Sequence, residues 1–145
     1  MYPSALSQWR HGVAVIYLAA PLFTAAEQAF NTELARRLRA AGHQVAVPQD
    51  FCAPCAGPPP DFAGIHRACL DHLARASLVV AVLDGADPDS GTCFEVGWAV
   101  ARGIPVIGLR TDLRPGEDGG LPNCMLTRSC RSVVRSIDAV VTALA

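Results

Sequence analysis

Hydrophobic positions along the chain fall into two alternating kinds of run. Continuous apolar blocks rich in β-branched residues occupy 13–20 (VAVIYLAA), 78–83 (LVVAVL) and 105–109, with a shorter one at 45–47. Blocks this short, apolar at odd and even positions alike, predict strands buried on both faces. Between them the spacing lengthens to three and four. Phe30, Leu34 and Leu38 mark a helix that Thr24 caps with Glu27 three residues on, and that Gly42 closes. Ile65, Cys69 and Leu73 mark a second helix over 62–76, and a third runs over 91–102 until Gly103 stops it. Ile137, Val140, Val141 and Leu144 give one face of a last helix from about Ser136, after an extended piece near Val133. Residues 1–12 show no period and are expected to form a loose lead-in. Loops are expected where Cys52, Cys55 and the run Pro58, Pro59, Pro60 lie, and over the Gly- and Pro-rich stretch 111–128.

Apolar strands alternating with helices specify a parallel sheet covered on both sides, with right-handed crossovers. The expected architecture is a single α/β domain over 1–145, a three-layer flavodoxin-like (Rossmann-like) fold with a five-stranded, mostly parallel sheet. Such sheets take ligands at the carboxyl ends of the strands, beside the point where strand order reverses. The chemistry is therefore expected in the loops after the first four strands.

Composition narrows the classes of function. With 145 residues, 51% of them hydrophobic, the chain supports one core of ordinary domain size. Thirteen acidic against twelve basic residues give a net charge of -1, so no single-sign field points to nucleic acid or an anionic membrane surface. All the basic residues are arginine; without lysine, Schiff-base chemistry and a phosphate-loop lysine are excluded. No apolar run approaches about 18 residues, and the first residues lack a basic-then-apolar leader, so a soluble, cytoplasmic protein is expected. The six cysteines are expected to be reduced thiols, since a domain with a full core does not need staples.

Polar groups gather where the strands should end: Tyr17, Gln49 with Asp50, the segment from Asp84 to Asp89, and Asp112. Asp89 or Ser90 can cap the helix that follows, and Gly91 lets backbone approach a ligand. Glu95 lies about one turn inside that helix, flanked by Phe94, Val96, Gly97 and Trp98. A carboxylate among such neighbours is buried with partners or kept for reaction, the plainer alternative being a helix-dipole role. Asp89 and Glu95 together suggest two-carboxylate chemistry at an anomeric carbon, although Asp89 could serve only as a cap. Cys52, Cys55, His66 and Cys69 offer four ligands for a structural zinc, against which stands the place of Cys69 on an apolar stripe. A thioredoxin-like role for Cys52 and Cys55 is disfavoured, because that motif normally opens a helix after the first strand. His11, His43 and His72 are expected in solvent, and Trp98 in the core.

In order and spacing, Ile16–Phe23, Val47-Pro48-Gln49, Leu83-Asp84-Gly85 with Asp87, Asp89-Ser90-Gly91-Thr92, Glu95-Val96-Gly97, the run 103–107 (GIPVI) and Arg110-Thr111-Asp112 resemble the nucleoside 2-deoxyribosyltransferase family. The resemblance covers about 13–130. It implies exchange of one nucleobase of a deoxynucleoside for another, by double displacement through a covalent 2-deoxyribosyl ester, with retention and without a cofactor or metal. It assigns Glu95 as nucleophile at C1', Tyr17 as the group holding its carboxylate, and Asp89 as the contact that manages the proton of the base. Asp84 and Gly91 fall in the same binding segment, and Gln49 would read the base edge. Asn123 and Met125 would enter a neighbouring subunit's site, which implies a homo-oligomer. The chain departs from the pattern at Cys69, where some members carry an Asp that helps to bind the base, and at Ala145, where some end in an aromatic residue. Related nucleotide N-glycosidases hold a 5'-phosphate on a Gly-Ser-Ile-Arg-Gly-Gly type of loop. This chain has Ala19 to Thr24 there instead, so unphosphorylated nucleosides are expected. A hydrolase using the same glutamate, and a sensor without turnover, are the competing functions.

Overall fold

A computed structural model describes residues 12–114 and 123–145. The lead-in 1–11, with His11, and the middle of the 111–128 stretch lie outside the described residues. The elements are β1 (Val15–Ala19), α1 (Ala25–Ala40), β2 (Gln44–Ala46), α2 (Pro48–Phe51), α3 (Phe62–Arg75), β3 (Leu78–Val82), α4 (Ser90–Ala101), β4 (Val106–Leu109), α5 (Cys124–Ser129), β5 (Ser132–Val134) and α6 (Ile137–Leu144).

The five strands form one sheet in the order β2-β1-β3-β4-β5, and every pairing is parallel. The order reverses between β1 and β3, and in open parallel sheets the carboxyl ends of the strands at such a point are where ligands bind. Alternation along each strand splits the core. Ile16, Leu18, Val80, Val82, Ile107 and Leu109 face Leu34 and Leu38 of α1 and Val140 and Leu144 of α6. Tyr17, Ala19, Val79, Ala81 and Leu83 face Leu73 of α3, Val96 and Ala99 of α4, and Leu126 of α5. Each fully buried aliphatic side chain contributes about 1.5–3 kcal/mol, so the two apolar layers, rather than any polar bond, hold the sheet.

The helix ends follow the local chemistry. Thr24 and Glu27 make the expected capping box, with Thr24 Oγ1 accepting from the Glu27 backbone and Glu27 Oε2 accepting from the Thr24 backbone. Gly42 takes the left-handed φ of +94° that ends the α1 turn. Asp61, Asp89 and Ser136 each accept from the backbone N–H three residues ahead, starting α3, α4 and α6. Arg37 of α1 pairs with Asp138 of α6, tying together the two helices of that face.

Two expected loops contain helix. Pro48 occupies the first position of α2, where its missing N–H costs nothing, and a 3-10 turn at Ala53–Cys55 follows. Asn123 caps α5 by accepting from Leu126 N at 3.1 Å, and Leu126 and Thr127 are buried beneath it. Both helices are too short for a periodic signal. Among the described residues no helix is long and apolar enough to cross a membrane.

Candidate active site

Tyr17 is the next-to-last inward residue of β1 on the α4 side of the sheet. Its side chain is fully buried, hydroxyl included, between the sheet and α4. There it donates to Glu95 Oε1 at 2.5 Å, the length of a charge-assisted O–H···O bond. Glu95 reaches this point because it lies on the sheet-facing side of α4, one turn in, beside the buried Val96. Burial pushes the Glu95 carboxyl up to about 7; the Tyr17 bond works against this rise and the charge of Asp89 adds to it. The Tyr17 hydroxyl is raised far above its usual value by burial and by Glu95, so it stays protonated and remains a donor. Glu95 Oε2 accepts no hydrogen bond among the described residues. The result is a half-buried carboxylate with one oxygen fixed and one available, poised to gain or lose charge near neutrality.

Asp89 stands at the mouth of the same helix. Its Oδ2 caps α4, accepting from Thr92 N at 2.9 Å and Thr92 Oγ1 at 3.2 Å. Its Oδ1 accepts from nothing among the described residues. One carboxylate can therefore cap the helix and still offer an oxygen outward. Gly91 is exposed in the first turn, and a Cβ there would lie 3.1 Å from Asp89 Oδ2, so the missing side chain leaves the cap room to close.

Asp84, also expected near a ligand, is consumed by its own chain. Oδ1 accepts from Thr111 N at 2.6 Å and Asp112 N at 2.9 Å, and Oδ2 accepts from Thr111 Oγ1 at 2.6 Å. Asp112 answers by accepting from Gly85 N at 2.9 Å, where Gly85 takes a φ of +111°. Bonds from the Arg114 side chain and backbone, and from Gly85, hold the Asp112 carboxyl far below the usual range. Arg110, named in the sequence only as part of the Arg110-Thr111-Asp112 run and with no role, has a structural one. It is 1% exposed and donates through Nη1 to Leu83 O at 2.6 Å and Gly85 O at 3.0 Å, while Nε finds no partner among the described residues. Together these bonds lock the loop after β3 to the end of β4 and so fix where the approach to Asp89 begins.

Gln49 is engaged as well. Its Nε2 donates to Gln28 O at 3.1 Å and Thr32 Oγ1 at 3.0 Å, and its Oε1 accepts from Asn31 Nδ2 at 3.2 Å. The buried Asn31, another residue the sequence did not mark, also donates to Pro21 O at 2.9 Å and thereby joins the loop after β1 to α2. Asn123 uses Oδ1 as a cap, and Met125 is 76% exposed. No hydrogen bond joins either of them to Tyr17, Asp89 or Glu95.

The four possible zinc ligands do not converge. Cys52 Sγ lies 3.7 Å from Cys69 Sγ, whereas the His66 ring stands 6.4 Å from Phe94, and among the described residues no three His, Cys, Asp or Glu side chains are grouped to hold a metal. All six cysteines are free thiols. Two histidines depart from the expectation of solvent: His43 Nδ1 accepts from Ala14 N at 3.2 Å, and His72 stacks on Phe51 at 4.0 Å between centroids. Both are half-buried, His43 beside the start of β1 and His72 between α2 and α3. Trp98 packs at the margin of the second core layer, with Arg102 4.7 Å over its ring.

Comparison with known proteins matches residues 16–126 to the family model described as nucleoside 2-deoxyribosyltransferase. No match was found among curated protein sequences. Several solved structures are similar. A conserved protein from Enterococcus faecalis superposes with a TM-score of 0.80 at 26% identity, over 92% of this chain and 98% of that one. The 2-deoxyribosyltransferase of Bacillus psychrosaccharolyticus gives 0.73 at 25% identity, over 87% and 89%. The 2-deoxyribosyltransferase of Leishmania mexicana gives 0.70 at 26% identity, over 88% and 94%.

Proposed function

Since the chain belongs to the nucleoside 2-deoxyribosyltransferase family, whose members are glycosyl-transferring or N-glycosidic enzymes, we propose that it exchanges the nucleobase of a 2'-deoxyribonucleoside for another free base. The observation that carries this reading is the Tyr17–Glu95 pair at the point where strand order reverses. In the first half-reaction Glu95 Oε2 attacks C1', the C1'–N bond breaks, and the base leaves with a proton while a deoxyribosyl ester forms on Glu95. Tyr17 holds Oε1, so the attacking oxygen is presented in one orientation rather than searched for. Asp89 Oδ1 faces the base and exchanges the proton that the leaving and entering nitrogens require. In the second half-reaction the new base attacks C1' from the side the first one left, and Glu95 departs as carboxylate. Two inversions give net retention. Asn123 and Met125, at the exposed start of α5, reach into a neighbouring subunit's site and touch the sugar. The substrates are unphosphorylated deoxynucleosides and free bases, and the chemistry requires no cofactor.

Chromatography of the protein with 2'-deoxyinosine or thymidine, with and without excess adenine or cytosine, tests the proposal. A new deoxynucleoside that appears only when the second base is present is the expected result. Free base and deoxyribose, formed whatever is added, would replace transfer by hydrolysis. No conversion of any substrate would remove the enzymatic reading.

A further inference from the structure

The cysteine pair that the sequence draws the eye to is not the pair that the fold brings together. Cys52 and Cys55 are separated by two residues, yet Cys55 Sγ packs toward Gly64, 3.1 Å from where a Cβ would stand, at the start of α3. Cys52 closes α2 and turns instead to the middle of α3, where its Sγ meets Cys69 Sγ at 3.7 Å. Cys52 is 8% exposed, and Cys69 is the more open of the two. Cys69 is near enough to the Tyr17 hydroxyl to add to its rise, after burial and Glu95, and Cys52 feels the charge of Glu95. The two thiols thus form part of the wall behind the Tyr17–Glu95 pair.

We propose that Cys52 and Cys69 form a dithiol site that closes reversibly to a disulfide on reaction with a small-molecule disulfide, and that closure lowers base exchange. In the first step the Cys69 thiolate attacks the small disulfide, forming a mixed disulfide and releasing one small thiol. In the second, Cys52, as thiolate, attacks the Cys69 sulfur and releases the other. Two protein thiols lose two hydrogens, and the oxidant is reduced to two thiols. Burial and the neighbouring Cys69 push the Cys52 thiol up to about 12, so the first attack falls to the more open Cys69 and closure by Cys52 is the slow step. The bond would tie α2 to α3 and draw the Cys69 sulfur from Tyr17, moving the donor that orients Glu95. Only this effect on exchange rests on the proposed function.

The test is incubation of the whole protein with oxidised glutathione, followed by peptide mapping without reduction and by the exchange assay. The expected result is a Cys52–Cys69 linked peptide, exchange reduced at least tenfold, and recovery of both on adding dithiothreitol. Cys55→Ser should close the same bridge, whereas Cys52→Ser and Cys69→Ser should not form a linked peptide between these segments. A Cys52–Cys55 bridge, or no bridge at all, would overturn the site. A Cys52–Cys69 bridge with exchange unchanged would overturn its effect on activity. Were the reduced protein inactive in exchange, the functional proposal would be what had failed, and the peptide map alone would decide the dithiol.

Discussion

Two carboxylates at the same edge of the sheet meet opposite fates. Asp84, after β3, accepts three hydrogen bonds from Thr111 and Asp112, and its partner Asp112 accepts from Gly85 and Arg114. Glu95, on the neighbouring α4, accepts one among the described residues, from Tyr17, and is pushed up to about 7 by burial. The first region has spent its polar groups on holding two loops together. The second has left an oxygen unspent in a place where charge is costly. A satisfied acid fixes geometry, and an under-satisfied one is available for reaction. Substitutions at the two regions should therefore separate stability from activity.

The largest expected effect is on Glu95. Glu95→Ala should lower base exchange by about a thousandfold or more while the fold survives, because it removes the only group proposed to bond to C1'. Circular dichroism beside the exchange assay checks this, and retention of more than a few per cent of exchange would remove Glu95 as nucleophile. Tyr17→Phe should lower kcat by about 10–100-fold, since it unfixes the attacking group without deleting it. It should also move the acid limb of the rate profile. In the intact protein kcat/KM should fall about tenfold per unit below pH 7, as Glu95 takes up a proton. The Tyr17 bond lowers the Glu95 value, so its loss should shift that limb to higher pH. An unmoved limb would mean that the titrating group is not Glu95.

A subunit-mixing experiment carries the comparison to α5. Asn123→Ala and Glu95→Ala chains, each impaired alone, should recover part of the exchange when mixed oligomers form, and no recovery in confirmed mixed oligomers would confine the site to one chain. Asp84→Ala should show the reverse of Glu95→Ala. Leaving the Thr111 and Asp112 N–H groups unpaired should cost about 1–3 kcal/mol of stability, read by urea unfolding, with less than tenfold loss of kcat.

The smallest effect is also the sharpest in sign. Glu95 has a folded value of about 7 against an ordinary 4.5, so the unfolded chain gives up this proton more readily than the folded one. Above pH 7 the fold bears the full cost of the buried charge; as pH falls from 7 to 4.5 the cost disappears. Glu95→Gln should therefore stabilise the protein at pH 8 by about 1–3 kcal/mol, with the gain gone by pH 4. Equal stability of the two proteins at pH 8 would show that the carboxylate is not strained in the fold.

The architecture was legible because long apolar blocks and caps act locally. Thr24, Asp89 and Ser136 start their helices within one turn, and the strands are apolar on both faces because both faces are covered. What was not legible depended on distant partners. Nothing in the local pattern says that Asp84 meets Thr111 twenty-seven positions away, that Gln49 turns its amide into α1, or that Arg110 spends its charge on two carbonyls. Sequence spacing likewise pairs Cys52 with Cys55, whereas packing pairs it with Cys69. The meeting of Tyr17 and Glu95, seventy-eight positions apart, was expected from the family resemblance and from no local pattern, since it depends on a strand order that places β1 beside β3.

The central claim is that Glu95 carries the sugar between two bases. Incubating the protein with a deoxynucleoside labelled in the sugar, without any acceptor base, then quenching and mapping the labelled peptides, addresses it directly. The account predicts label on Glu95, discharged as a labelled deoxynucleoside when adenine is added before the quench. Label on another residue, or no labelled protein in a preparation that exchanges bases, would contradict it.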